Sequence, residues 1–404
     1  MAESAPAPMP VQERIYYLDV LRGIALFGVL TINMQVFAGP IVARRADVIV
    51  QAFIDIFIQS KFISLFSFLF GLGFAIQMSR AAAKGTRLLS FYPRRLLALA
   101  LFGLIHGFLI WPGDILLTYA ILGALLLLFR NQSQRALLYW AGSIVASLLL
   151  VLTGLYIATT LGLRAPDEGN AVPDPSAVQQ AVAYAPRSVL QFVGDNWHAR
   201  IGSLDDLIIS IPLLSLFLLG LWVWRTGVVE HLDERKPVLK RVCAVFLPLG
   251  LALNTANTLL PVLRPFTAFT DWFVNVLGLI FPPILSVGYA AALAVLIQNS
   301  VWKQRFMPLA AVGRMALTNY LMQSVVCTTI FFFAGLYGKL GPASDLALTA
   351  GVYGGQVLLS GWWLARYRYG PMEWLWRGMT YGSFPAMLRV DGRETHRRTA
   401  GNDI

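Results

Sequence analysis

The chain has 404 residues, 57% of them hydrophobic and 13% charged, with a formal net charge of +11. Soluble domains carry roughly 25% charged residues, so this composition excludes a soluble globular enzyme and implies a polytopic protein whose first partner is the lipid bilayer. The basic residues stand in short clusters between apolar runs, which is how membrane spans are oriented and not how a nucleic-acid surface is built.

Residues 1–18 form a tail with no apolar core of the kind a cleavable signal carries. Apolar runs long enough to cross a hydrocarbon core then occupy about residues 20–38, 62–79, 96–112, 115–130, 136–162, 205–224, 238–258, 272–298, 314–336 and 346–365. The expected fold is all-α, a polytopic integral membrane protein with about ten transmembrane helices. An N-terminal bundle covers 19–162, an extracytoplasmic segment 163–204, a second bundle with an inner-face helix 205–382, and a basic tail 383–404. With both termini placed in the cytoplasm, the inner segments collect 23 Lys and Arg and the outer ones 8, with Arg22 inside the first span. That asymmetry puts both termini inside and the WPGD turn outside. Cys243 and Cys327 lie in apolar runs; neither a disulfide framework nor a metal-ligand spacing is visible, and no metal is expected.

The first span reads YYLDVLRGIALFGVLTINMQVF. Asp19 and Arg22 are three apart and share a helix face, with Asn33 three turns further along it. This stripe either lines a path through the protein, or is a helix-end ion pair plus an interhelical hydrogen bond. Between Arg94 and Arg130 lies a hairpin of two spans turning at WPGD. His106 is five residues before Trp111, roughly 7–8 Å below the outer interface. An imidazole there can accept a proton, or it can make a hydrogen bond between helices. Asp114, just past Pro112–Gly113, is placed both to cap the next helix and to orient the histidine.

In the outer segment, SVLQFVGDNWHARI has the spacing of an interfacial helix anchored by Trp197; it is either a plain surface helix or a lid, with His198 solvated. Pro282–Pro283 interrupts the eighth span, as a kink or as the broken helix of a cavity wall. The ninth span carries Arg314 at its start, then Asn319, Tyr320 and Gln323, the two carboxamides on one face and in need of partners. After the last span, Gly370 stops one helix and Pro371 starts another, in which Glu373 and Arg377 are spaced for an i,i+4 pair and Trp374 and Trp376 suit the inner membrane face.

The segments LDVLRGIALFGVLTIN, GLIHGFLIWPGDILLTYAILG, GRMALTNYLMQ and YGPMEWLWRGMTYG resemble the YeiB-like family, whose C-terminal half is a domain of unknown function. The Asp19–Arg22–Gly23 opening of the first span also resembles, more distantly, the transmembrane acyltransferases typified by the lysosomal heparan-glucosaminide N-acetyltransferase. That resemblance implies a cytoplasmic acyl-CoA co-substrate and an acceptor at the outer face: a sugar, an amine or a lipid head group. Those enzymes keep a histidine between their first two spans, whereas residues 39–61 here hold none. His106 would substitute as general base, with Asp114 its orienter. Arg22, Arg94, Arg95 and Arg314 would hold the polyphosphate. Asp19, Asn33, Trp111, Asn319, Tyr320, Gln323, Glu373 and Arg377 would line the path. The rival expectation is a transporter or lipid flippase using the same path; Pro282–Pro283 favours it, and the lack of an internal repeat and of an acidic coupling residue deep in a span counts against it. The resemblance also implies a bacterial cytoplasmic (inner) membrane location, and a homodimer is allowed.

Overall fold

The computed structural model describes residues 16–40, 45–162, 188–202, 210–263 and 267–389. The N-terminal tail, residues 163–187 and the last part of the basic tail lie outside them. The helices, in order, are α1 (Tyr16–Ala38), α2 (Arg45–Phe57), α3 (Lys61–Ala83), α4 (Tyr92–Leu109), α5 (Leu116–Leu126), α6 (Gln134–Thr160), α7 (Val189–Gly202) and α8 (Leu213–Arg225). There follow α9 (Lys236–Leu263), α10 (Ala268–Asn275), α11 (Phe281–Leu296), α12 (Ser300–Arg305), α13 (Met307–Arg314), α14 (Ala316–Thr328), α15 (Pro342–Arg366) and α16 (Pro371–Tyr381). Among the described residues the only β pairing is an isolated Tyr367–Leu388 bridge.

Among the described residues, six helical stretches are long and apolar enough to cross a membrane: Tyr16–Ala38, Ala46–Ala83, Gln134–Thr160, Lys236–Leu263, Phe269–Leu296 and Ala316–Phe333. The apolar helices Leu116–Phe129 and Leu213–Arg225 are shorter. The chain is a membrane protein on this ground.

One expected span turns out to be broken. The eighth is α10 and α11 joined through a 3-10 turn at Leu277–Ile280, and Pro282–Pro283 open α11 instead of kinking one continuous helix. Proline lacks an N–H, and the first turn is where a helix has no use for one. The ninth runs as Ala316–Phe333, and a separate helix, α13, precedes it across a break at Met315.

The inner helices touch through glycines. A methyl group on Gly23 would collide with the Leu309 carbonyl oxygen and one on Gly313 with that of Asp19, so α1 and α13 meet backbone to backbone. Gly71 and Gly220 do the same for α3 and α8. In contrast, α6 and α9 hold few fully buried residues, apolar staves that need lipid on their outer faces. At the end of the molecule that carries Arg80 and Arg95, α16 is tied down by the Trp376 indole N–H, which donates to the Arg95 carbonyl at 2.9 Å. Trp376 therefore anchors the helix within the protein.

Candidate functional site

The expected stripe on α1 is a cavity wall. Asp19, Arg22, Val29 and Asn33 all face one cavity of about 370 Å³. α3 supplies the opposite wall with Gly73, Gln77 and Arg80, at helical spacings of four and three. One end of the cavity is strongly basic: Arg22, Arg80, Arg95, Arg314 and Arg377 line it. The other end reaches Gly113, Ile115, Tyr119 and Tyr320. Eleven residues of α4 separate Arg95 from His106, which at 1.5 Å per residue is about 16 Å.

The basic end is organised by fixed contacts. Arg22 pairs with Asp19 at 2.9 Å, and the Arg95 guanidinium lies 3.5 Å over the Trp376 ring, a cation–π contact. Arg377 stacks 4.7 Å over Tyr369. Glu373, expected to face Arg377, turns to the start of α14. Its Oε1 accepts the Leu317 and Thr318 N–H groups at 2.7 and 3.0 Å, and its Oε2 the Thr318 hydroxyl at 2.6 Å. The carboxylate thereby caps the helix that begins after the Met315 break. Burial pushes the Glu373 carboxyl up, and these hydrogen bonds work against that rise.

At the far end, His106 Nδ1 stands 2.9 Å from Asp114 Oδ1, both side chains fully buried. Asp114 Oδ2 accepts the Leu117 N–H at 2.9 Å, so one carboxylate both caps α5 and holds the imidazole. Gly103 makes the room, since a methyl there would stand 2.8 Å from Asp114 Oδ2. Among the described residues His106 Nε2 has no hydrogen-bond partner. The imidazole does not itself line the cavity; Tyr320 does, with its ring centroid 5.2 Å from that of His106.

α7 folds over this end. Arg200 Nη1 donates to the Pro112 carbonyl at 3.2 Å and lies 3.5 Å from that of Asp114. Trp197 packs on Phe108 at 4.6 Å, and Phe192 lies between Phe332 and Phe333. His198 is exposed. The segment thus packs as a helix on α4 and the WPGD turn.

Four expected residues stand elsewhere. Arg94 points out of the fold and is exposed, because it falls on the opposite face of α4 from the cavity. Trp111 stacks on Phe37 at 4.5 Å and stays off the cavity wall. Asn319 and Gln323 also leave the wall and knit α14 to α15. Asn319 Nδ2 donates to Ser360 Oγ at 3.0 Å, Gln323 Nε2 to Gln356 Oε1 at 2.8 Å, and Gln356 Nε2 to the Asn319 carbonyl at 2.9 Å. Their polar partners on a neighbouring helix meet the same need that a channel would. Gln77, Arg80 and Arg200 were not among the expected site residues; the spacing of Gly73, Gln77 and Arg80 was the available signal for the first two.

A family model described as "Protein of unknown function (DUF418)" matches residues 223–383. The chain is 36% identical to the uncharacterized protein YxaH of Bacillus subtilis (strain 168), over 96% of this chain and 99% of that protein. It is 29% identical to the uncharacterized protein YeiB of Escherichia coli (strain K12), over 91% of this chain and 96% of that protein. An uncharacterized 39.9 kDa protein of Bacillus acidopullulyticus is 28% identical over 95% of this chain.

Proposed function

The chain belongs to the YeiB-like family, and on that premise we propose that it is a membrane acyltransferase moving an acyl group from a cytoplasmic acyl-CoA to an acceptor at the outer face. The observation that carries the reading is one cavity that runs from five arginines to the wall beside a buried His106–Asp114 pair. Guanidinium groups are the natural partners of a polyphosphate. The nucleotide of the donor stays at this basic mouth, and its slender pantetheine arm extends between α1 and α3 toward Tyr320. The acceptor, a sugar, an amine or a lipid head group, meets it there. Its O–H or N–H proton is passed through the cavity wall at Tyr320 to His106 Nε2 as its oxygen or nitrogen bonds to the thioester carbonyl carbon. The carbon–sulfur bond breaks and the departing thiolate takes the proton. Asp114 holds the ring through Nδ1–H so that the lone pair of Nε2 is the one on offer. A transporter or flippase is the second reading, supported by the helix breaks at Leu277–Ile280 and Met315.

The same proposal includes about ten spans, made of the six long stretches with α4, α5, α8 and α15. Both termini are cytoplasmic, in a bacterial inner membrane, on the 23-to-8 charge asymmetry. With Cys243 replaced by serine, a cysteine at the exposed His198 should react with an impermeant maleimide on intact cells, whereas one at the exposed Lys84 should stay unlabelled until lysis. The reverse pattern would invert the topology and put the basic mouth outside.

Donor binding has its own expected result. A ligand that binds only the folded state stabilises it by about 2.7 kcal/mol at 100 times its dissociation constant, so acetyl- or longer acyl-CoA should raise the thermal midpoint of the purified protein. Arg22→Ala should shrink that rise. Gly73→Leu should abolish it without harming the fold, because a side chain at Gly73 enters open space. If no acyl-CoA moves the midpoint, preference passes to the transporter.

A further inference from the structure

α16 has two working faces. Glu373, Trp376 and Arg377 belong to the cavity. On the opposite face Pro371, Met372, Trp374 and Leu375 line, with Trp363 and Met387, an open groove of about 400 Å³. All six are apolar or aromatic, and both indole N–H groups are already committed. Trp363 donates to the Tyr369 carbonyl at 2.9 Å and Trp374 to the Pro385 carbonyl at 2.8 Å. Ring contacts hold the walls, Trp363 on Tyr367 at 4.3 Å and Trp374 against Phe384 at 4.7 Å. Such a surface offers contact area without side-chain hydrogen bonds, which suits a hydrocarbon chain and not a sugar or a nucleotide.

One rim of the groove is basic. Trp363 and Arg366 are three apart on α15 and share a helix face. Past the helix the chain pairs with the segment after α16: the Arg368 N–H donates to the Met387 carbonyl at 2.9 Å, and the Arg389 N–H to the Arg366 carbonyl at 3.0 Å. Around the Tyr367–Leu388 bridge this register sets Arg368 opposite Met387, a groove residue, and Arg366 opposite Arg389. Like charges placed opposite one another repel, and among the described residues none of the three arginines is in an ion pair. Arg366 lies over the Trp362 ring at 4.6 Å, so α15 ends in tryptophan and then arginine, the order in which a helix leaves a bilayer. Beside it Phe384 and Leu388 are exposed, which suits burial at headgroup depth. An apolar groove and a guanidinium cluster at a membrane interface match a ligand that joins an acyl chain to a phosphate. We propose that this groove binds one anionic phospholipid, an acyl chain lying along Trp363, Met372 and Leu375 and the phosphate held by Arg366, Arg368 and Arg389. The site stands independently of the acyl-transfer reading, whose residues lie on the other face of α16.

The test uses the full-length protein in a neutral detergent, with phosphatidylglycerol or phosphatidylcholine of the same acyl chains added. The thermal midpoint should rise saturably with phosphatidylglycerol, as linkage requires of a ligand that binds the folded state. Phosphatidylcholine, which carries no net charge, should need at least about tenfold more for the same rise. Glycerol phosphate, the anion without the chains, should leave the midpoint unmoved. Arg366→Gln, Arg368→Gln and Arg389→Gln should each weaken the apparent phosphatidylglycerol affinity about fivefold, the effect of one cationic side chain at an anionic surface. Native mass spectra of the unaltered protein should retain one phosphatidylglycerol per chain and no phosphatidylcholine, which keeps the test intact should a variant fail to fold. Equal responses to the two lipids, a response to glycerol phosphate equal to that to phosphatidylglycerol, or a phosphatidylglycerol preference kept in full by all three variants would each overturn the assignment.

Discussion

His106→Gln is expected to lower acyl transfer by about 10²–10⁴-fold, the range a general base contributes, while donor-induced stabilisation is retained. Glutamine is similar in size and can still donate to Asp114, which now stands 2.9 Å from Nδ1. What it lacks is a ring nitrogen with a lone pair that can accept a proton. The native Nε2 is buried without a hydrogen-bond partner among the described residues, so the proton-accepting position is the one feature the substitution removes. If the histidine serves only as a hydrogen-bonding group, the exchange should cost about 1 kcal/mol or less and leave function whole. Free thiol release from acyl-CoA, with a membrane extract supplying the acceptor, measures the difference. Undiminished release from the glutamine variant would remove His106 from the chemistry.

Glu373→Ala should have the largest effect on stability. The carboxylate accepts three hydrogen bonds from α14, two of them from backbone N–H groups at a buried helix start. Hydrogen bonds to a charged group contribute about 1.5–3 kcal/mol each, and stranded buried donors add to the loss. A destabilisation of about 3 kcal/mol or more is expected, seen as a fall in the thermal midpoint in detergent. Glu373→Gln keeps one acceptor oxygen and should fall between alanine and the native protein. An alanine variant that melts with the native protein would show that the start of α14 is held by something other than this carboxylate.

Much of the site was legible where the signal is local. The faces of α1 and the spacing from His106 to the WPGD turn follow from helical periodicity, and the structure sets Asp19, Arg22 and Asn33 on one wall accordingly. The histidine–carboxylate pair was legible because its members flank one tight turn. What periodicity does not say is which other helix a face meets. Asn319 and Gln323 were assigned to the lumen because buried carboxamides need partners; their partners are Ser360 and Gln356, on a polar stripe of α15 that also includes Asp345 and Thr349. That stripe has the same period, but it lies in α15, which otherwise reads as an ordinary apolar span. Glu373 was assigned a neighbour four residues away, when its hydrogen-bond partners lie more than fifty residues back in the chain. Arg200 of α7 reaches the Pro112 carbonyl, and the spacing that marks its helix does not say which turn the helix meets.

The backbone contact between α1 and α13 sets a timetable for biosynthesis. Gly23 and Gly313 lie about 290 residues apart, so at about 5–20 residues per second α1 waits roughly 15–60 s for the helix it must touch. Its two charges cannot wait uncompensated in a bilayer. The Asp19–Arg22 bridge, only three residues in span and 2.9 Å long, is complete as soon as the first helix itself is complete. A nascent chain can thus hold its earliest polar face quiet inside the membrane until the late-made partner arrives from the ribosome.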